Sequence, residues 1–221
     1  MKFPIPAFIF LGLFVVASLV QLVFAFLEKE NLRRKEKFVC LLMLSLFAFF
    51  AFPNKPLIYV GALLGMIGDI LDLQPKTFVL GVVCFYLGHL CYIFEAIWDI
   101  FNFNIPYYIY IVLVLTYIVI YIIIYQIVRR NKNHSMIDKV GQSLYFSIQV
   151  TYLPIFIYTL IHFSNLMWLA IIGALLFITS DTILVKTHYG RKFKRYHFYI
   201  MGTYLLAELF IVLGFVLSFV Y

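Results

Sequence analysis

The sequence predicts an all-α, polytopic membrane protein: an eight-helix transmembrane bundle forming one domain over residues 1–221. Three observations lead there. The chain is 65% hydrophobic and only 12% charged, against roughly 45–50% apolar and about 25% charged in a soluble domain. Its apolar runs follow one another with short polar breaks, each long enough to be a helix that crosses or nearly crosses a bilayer. Its lysines and arginines gather in alternate breaks, as expected of a chain that threads a membrane repeatedly.

Taken in order, the first helix covers about 4–27. One lysine precedes about 24 apolar residues with no clear cleavage site. That exceeds the apolar core of a signal peptide, so the segment reads as a retained helix. A charged loop, 28–37, leads to a second helix at 38–52, short for a full crossing. Pro53-Asn54-Lys55-Pro56 makes a tight turn, because proline fixes φ and disfavours helix in the residue before it. The third helix spans 57–73 and stops at Gln74-Pro75-Lys76. The fourth is 78–98, the fifth 107–128 and the sixth 140–161, with Pro154 expected to kink it. The seventh is 166–185 and the eighth 197–221.

Fifteen of the 17 Lys and Arg residues fall in the four odd-numbered loops, leaving Lys2 and Lys55 on the other side. The positive-inside rule then places those loops in the cytosol and both termini outside. The protein would be integral and multi-pass, in the plasma (inner) membrane if the host is bacterial. This placement accounts for the net charge of +7 through topology and lipid headgroups rather than nucleic acid. Cys40, Cys84 and Cys91 lie inside apolar runs without a CxxC, so no disulfide is expected.

One segment recurs. GALLGMIGDIL, from Gly61 to Leu71, returns as GALLFITSDTIL, from Gly173 to Leu184, at an offset of 112. Each copy has Gly-Ala-Leu-Leu, four residues, and then an aspartate, Asp69 or Asp181. The offset maps the third helix onto the seventh, so a duplication would be a parallel one of four helices plus four, with a site near the pseudo-axis. The alternative is coincidence in apolar sequence. An aspartate within a membrane helix costs about 2.5–3.5 kcal/mol on insertion scales and tends to face the bundle interior or a wet cavity.

Other polar groups share helical faces with these acids. Gly61, Gly65 and Asp69 line one face of the third helix, where small residues allow close approach. Ser180 precedes Asp181 and has its own helix backbone as an alternative partner. Asp72 reads as an interfacial acid. His89 and Tyr92 lie on one side of the fourth helix, and Tyr204 and Glu208 on one side of the eighth. Gln142, Tyr145, Gln149 and Tyr152 form a stripe on the sixth. Singly, each suits an interhelical hydrogen bond. Together they describe a polar interior lined by the third, fourth, sixth, seventh and eighth helices. Tyr110, Tyr117, Tyr121 and Tyr125 of the fifth are expected to pack or to face headgroups. There is no HExxH, GxSxG elbow or P-loop, and the five histidines are scattered, so no metal and no cofactor is expected.

These residues carry a family likeness. The Gly-x-x-Gly-Asp of GMIGDIL, the Phe-x-x-Gly-His-x-x-Tyr pattern at Phe85, Gly88, His89 and Tyr92, the LFxxSDxxL at Leu176 to Leu184, and the eighth helix with Tyr204 and Glu208 resemble the YhhN-like lysoplasmalogenase family over nearly the whole chain. Helix 4 matches more loosely, and Glu208 stands where the family pattern suggests glutamine. The resemblance implies hydrolysis of the vinyl ether bond of lysoplasmalogens to a fatty aldehyde and glycerophospho-ethanolamine or -choline. Such chemistry needs an acid that keeps its proton near neutral pH, a carboxylate to stabilise a cation or activate water, and an apolar slot. Burial and a second nearby acid both favour retention of a proton, so Asp69 and Asp181 are the expected catalytic pair, their roles undivided. His89, Tyr92, Gln149, Tyr152, Ser180, Tyr204 and Glu208 are the expected substrate-binding set. The partners would be a lysophospholipid and the surrounding lipids, not nucleic acid. A proton-coupled transporter would use the same buried acids. A protein whose acids merely pair helices is the third reading.

Overall fold

The computed structural model describes residues 3–71, 77–102, 108–130, 136–162 and 165–218. Eight α-helices occur among them: α1 (Ile5–Phe26), α2 (Glu30–Ala51), α3 (Pro56–Leu71), α4 (Phe78–Asn102), α5 (Tyr108–Val128), α6 (Met136–His162), α7 (Trp168–Tyr189) and α8 (Tyr196–Ser218), with a short 3-10 turn at Asn165–Met167 before α7. Six of them (α1 and α4 to α8) are long and apolar enough to cross a membrane. α3 is apolar but has 16 residues, about 24 Å of helix against a hydrocarbon core of about 30 Å. Asp72 and the end of the expected third helix lie outside the described residues.

The largest departure from expectation is at α2. Its expected start at Phe38 is eight residues late, because Glu30 to Lys37, read as a charged loop, is helical. Hydropathy marks where a chain enters lipid, not where helix begins, and Glu, Leu, Arg and Lys are all good helix formers. Similarly, α4 runs on to Asn102, α6 starts at Met136, and α7 runs on to Tyr189. α6 continues through Pro154.

The helices pack in sequence within each half: α1 on α2, α2 on α3 and α3 on α4, then α5 on α6, α6 on α7 and α7 on α8. Between the halves, α4 packs on α6 and α8 on α2. Each of these two contacts is the other's image under a shift of four helices, whereas the α1·α8 contact has no α5·α4 image among the described residues. α8 is the most buried of the six apolar helices and also touches α1 and α3. The outward faces of α1 and α5 are apolar, with Phe8, Val16 and Leu19 on one and Ile111, Val114 and Ile122 on the other all exposed. Such a belt suits lipid rather than water.

Small residues set the closest approaches. A Cβ on Gly88 would lie 2.9 Å from the Gly61 carbonyl, and one on Gly173 would lie 2.7 Å from the Ala207 carbonyl. Hence α3 meets α4, and α7 meets α8, backbone to backbone, as small-residue seams allow. On the basic side the Glu28 carboxylate accepts a hydrogen bond from the Arg195 backbone N–H at 3.1 Å, and the Arg195 guanidinium lies over the Phe26 ring at 3.7 Å. This clasp ties the end of α1 to the loop before α8.

Candidate active site

Asp69 sits near the C-terminal end of α3, where Gly61 and Gly65 let neighbours close in. It is 1% exposed. The Lys37 ammonium reaches it from α2, with Nζ 2.8 Å from Oδ1. The Tyr204 hydroxyl donates to its Oδ2 from α8 at 3.1 Å. A carboxylate held by an ammonium and a phenol satisfies the requirement that buried charge be paired and hydrogen-bonded. Lys37 was read from sequence as a loop cation. The extension of α2 turns it inward instead.

Asp181 occupies the repeated position on α7 and is 6% exposed. It accepts a short hydrogen bond from the Gln149 Nε2 amide of α6, and Tyr145 of α6 lies near the same carboxyl group. Gln149 Nε2 also lies 3.3 Å from His89 Nε2. The other ring nitrogen, Nδ1, makes a short hydrogen bond with the Tyr152 hydroxyl. An amide nitrogen can only donate, so the drawn geometry has His89 accepting at Nε2 and donating from Nδ1 to Tyr152. His89 is further fixed by the edge of Phe177, 4.5 Å between ring centroids.

Glu208 of α8 is the third buried acid. Its Oε2 accepts from the Tyr92 hydroxyl of α4 at 2.8 Å. Asp69, Asp181 and Glu208 all lie within electrostatic reach of one another. A Cβ on Gly65 would come within 3.6 Å of Glu208 Oε1 and 3.7 Å of the Tyr204 hydroxyl, so this glycine makes the space in which α8 presents both groups. Glutamine at position 208 could accept from Tyr92 equally well. Glutamate therefore adds an acid without altering that bond.

The site thus joins Asp69, Asp181, His89, Tyr92, Gln149, Tyr204 and Glu208, with Tyr152 one step behind His89. Ser180 does not point among them; its hydroxyl donates to the Ile200 carbonyl of α8 at 3.1 Å, a tie between helices. Among the described residues no three His, Cys, Asp or Glu side chains gather as a set of metal ligands. A separate buried pair, Lys55 Nζ to Glu95 Oε1 at 3.2 Å, pins the α2–α3 turn to α4. Burial pushes the Lys55 ammonium below its ordinary pKa, while the Glu95 charge works against that shift.

The chain also matches a protein-family model over most of its length. The model described as YhhN family matches residues 32–215. The chain belongs to the YhhN family. The match spans α2 to α8 and so includes every residue of the acid cluster of this YhhN-family chain. No curated protein matches the chain, and no solved structure matches it.

Sequence reasoning missed Lys37, did not separate Tyr145 from the α6 stripe, and passed over Glu95. For Lys37 a signal was available: it stands 112 residues before Gln149, the same offset that relates the two aspartates.

Proposed function

We propose that this YhhN-family membrane protein is a lysoplasmalogenase that cleaves the vinyl ether bond of lysoplasmenyl lipids with Asp69 and Asp181. The observation that carries the reading is the convergence of both repeated aspartates, from α3 and α7, into one buried cluster with proton donors and a cation. The family match and the sequence motifs support the substrate class.

The chemistry follows from what such a cluster can do. One carboxylic acid protonates the vinyl carbon distal to the ether oxygen, leaving an oxocarbenium ion. A neighbouring carboxylate stabilises that cation, as preorganised charge does where charge develops. Water adds to the cationic carbon and gives one proton back to the cluster, forming a hemiacetal. The hemiacetal hydroxyl proton leaves, the ether oxygen gains a proton and the C–O bond breaks. The products are aldehyde and alcohol, and the net reagent is one water. His89 and Gln149 are placed to orient the water or the ether oxygen. The basic loops support cytosolic placement of the adjoining headgroup, with both termini outside.

The test is aldehyde release from lysoplasmenyl-ethanolamine by purified protein, with a chelator control. Wild type should be active with and without chelator. Asp69→Asn and Asp181→Asn should each fall by about 10²–10⁴-fold, the range of acid–base catalysis, while remaining folded. Well-folded wild type that releases no aldehyde would sink the assignment. The same buried acids and the Lys37–Asp69 ion pair suit a proton-coupled carrier, which would move a solute in vesicles and cleave nothing.

A further inference from the structure

The two halves can be aligned beyond the repeated segment. Lys37 and Gln149 are 112 residues apart, as are Asp69 and Asp181, Gly65 and Phe177, and Tyr92 and Tyr204. In the first half α2 directs Lys37 Nζ to Asp69 Oδ1 at 2.8 Å. In the second half α6 directs Gln149 Nε2 to Asp181 Oδ2. One position in the fold therefore faces one carboxyl group twice, with an ammonium in the first half and a neutral amide in the second.

The phenols break the symmetry in the same sense. Tyr204 donates to Asp69, but its counterpart Tyr92 donates to Glu208 rather than to Asp181, and Asp181 has Tyr145 of α6 near it. Asp69 thus has a full positive charge and a hydroxyl donor. Among the described residues Asp181 is contacted by neutral groups only; Asp69 and Glu208 lie in electrostatic reach, and so does Lys37, but its ammonium is in contact with Asp69 and not with Asp181. An adjacent cation favours the charged form of a carboxyl group, and neighbouring acids favour the neutral one.

We propose that this divergence divides the labour between the two aspartates: Asp69 is the permanent carboxylate of the pair, Asp181 is the member that holds and donates a proton, and Lys37 is the positioning residue that makes them differ. The assignment of catalytic roles rests on the hydrolase reading; the placement of the proton does not. In that reaction Asp181 gives its proton to the vinyl carbon and becomes a carboxylate. Asp69 faces the oxocarbenium ion. The incoming water bonds to the cationic carbon and returns a proton to Asp181. Collapse of the hemiacetal then moves the hydroxyl proton to the ether oxygen, and Asp181 is again protonated for the next turnover.

Infrared spectroscopy of the full chain in lipid at neutral pH reads the proton directly. Aspartate labelled with ¹³C at the side-chain carboxyl separates its C=O band from that of Glu208. Wild type should show a labelled, protonated-carboxyl band that persists in Asp69→Asn and disappears in Asp181→Asn. Lys37→Gln, which gives both aspartates the same partner, should enlarge the band. Where an amide variant fails to fold, Asp69→Glu or Asp181→Glu keeps an acid while removing the label, with the same expectation. A band lost with Asp69 but kept without Asp181, no labelled band in wild type, or a band indifferent to Lys37→Gln would each overturn the proposal. A band assigned to Asp181 in protein that releases no aldehyde would leave the proton assignment standing and remove only the lysoplasmalogenase reading.

Discussion

Tyr204 and Glu208 stand one turn apart on α8, and sequence periodicity rightly puts them on one face. Their work differs, however: Tyr204 donates to Asp69 of α3, and Glu208 accepts from Tyr92 of α4. Spacing along a helix specifies a direction, but the partner is supplied by another helix. Tyr204→Phe removes one hydroxyl donor and nothing else of the side chain. A buried hydrogen bond to a charged group contributes about 1.5–3 kcal/mol. Aldehyde release should therefore fall by about tenfold or more, equivalent to at least about 1.4 kcal/mol, with the protein still folded in a thermal-unfolding assay. Equal activity in Tyr204→Phe and wild type would mean that the contact plays no part in turnover. Lys37 makes the same point from the other side. Its charge was obvious in the sequence, its inward direction was not, and eight residues of helix at the start of α2 decide between a loop cation and a member of the site.

At the scale of elements, the helices were legible because lipid makes their signal strong: an apolar run of membrane length has few other structures available to it, since every backbone polar group must be satisfied within the segment. Their ends were less legible, as α2, α4, α6 and α7 extend into charged sequence that forms helix without being apolar. How closely the helices approach depends on individual glycines. Gly173 lies against the α8 backbone, where a methyl group would sit 2.7 Å from the Ala207 carbonyl and 2.8 Å from Ile211. Gly173→Ala should therefore destabilise the protein by about 1–3 kcal/mol, as overpacking does, and displace Asp181 two turns along α7. Gly12, with nothing within 4 Å of its position, is a control in a helix interior. Gly12→Ala should be neutral or stabilising by up to about 1 kcal/mol. Thermal unfolding of the two variants side by side checks the seam, and equal behaviour would contradict it.

For the whole molecule, the bias of basic residues predicts the way the chain sits in the membrane. Fifteen of 17 lysines and arginines gather at alternate breaks between the apolar runs, from which the expectation is that both termini lie on the non-cytosolic side. A reporter active only outside the cytosol should work when fused to either terminus and fail when inserted in the α5–α6 loop. The reverse pattern would invert the topology, and reporters active at one terminus alone would mean an odd number of crossings. The parallel repeat also belongs to this scale. Sequence displayed it in one segment of α3 and α7, whereas in the packing α4·α6 and its image α8·α2 keep it and α1·α8, with no α5·α4 counterpart among the described residues, departs from it.

By itself the sequence determined the class of fold, the number of helices, the membrane environment, and the presence of two equivalent acids where acids are costly. All of these follow from the chain's own transfer free energies and from periodicity along single helices, which are local quantities. Only the tertiary structure decided which partners those acids meet: Lys37 for Asp69, Gln149 and Tyr145 for Asp181, and Tyr92 for Glu208. The groups in these pairs come from different helices, up to 135 positions apart in the Tyr204–Asp69 bond. Two aspartates that read alike in sequence become different chemical groups because helix packing places a charge beside one and an amide beside the other.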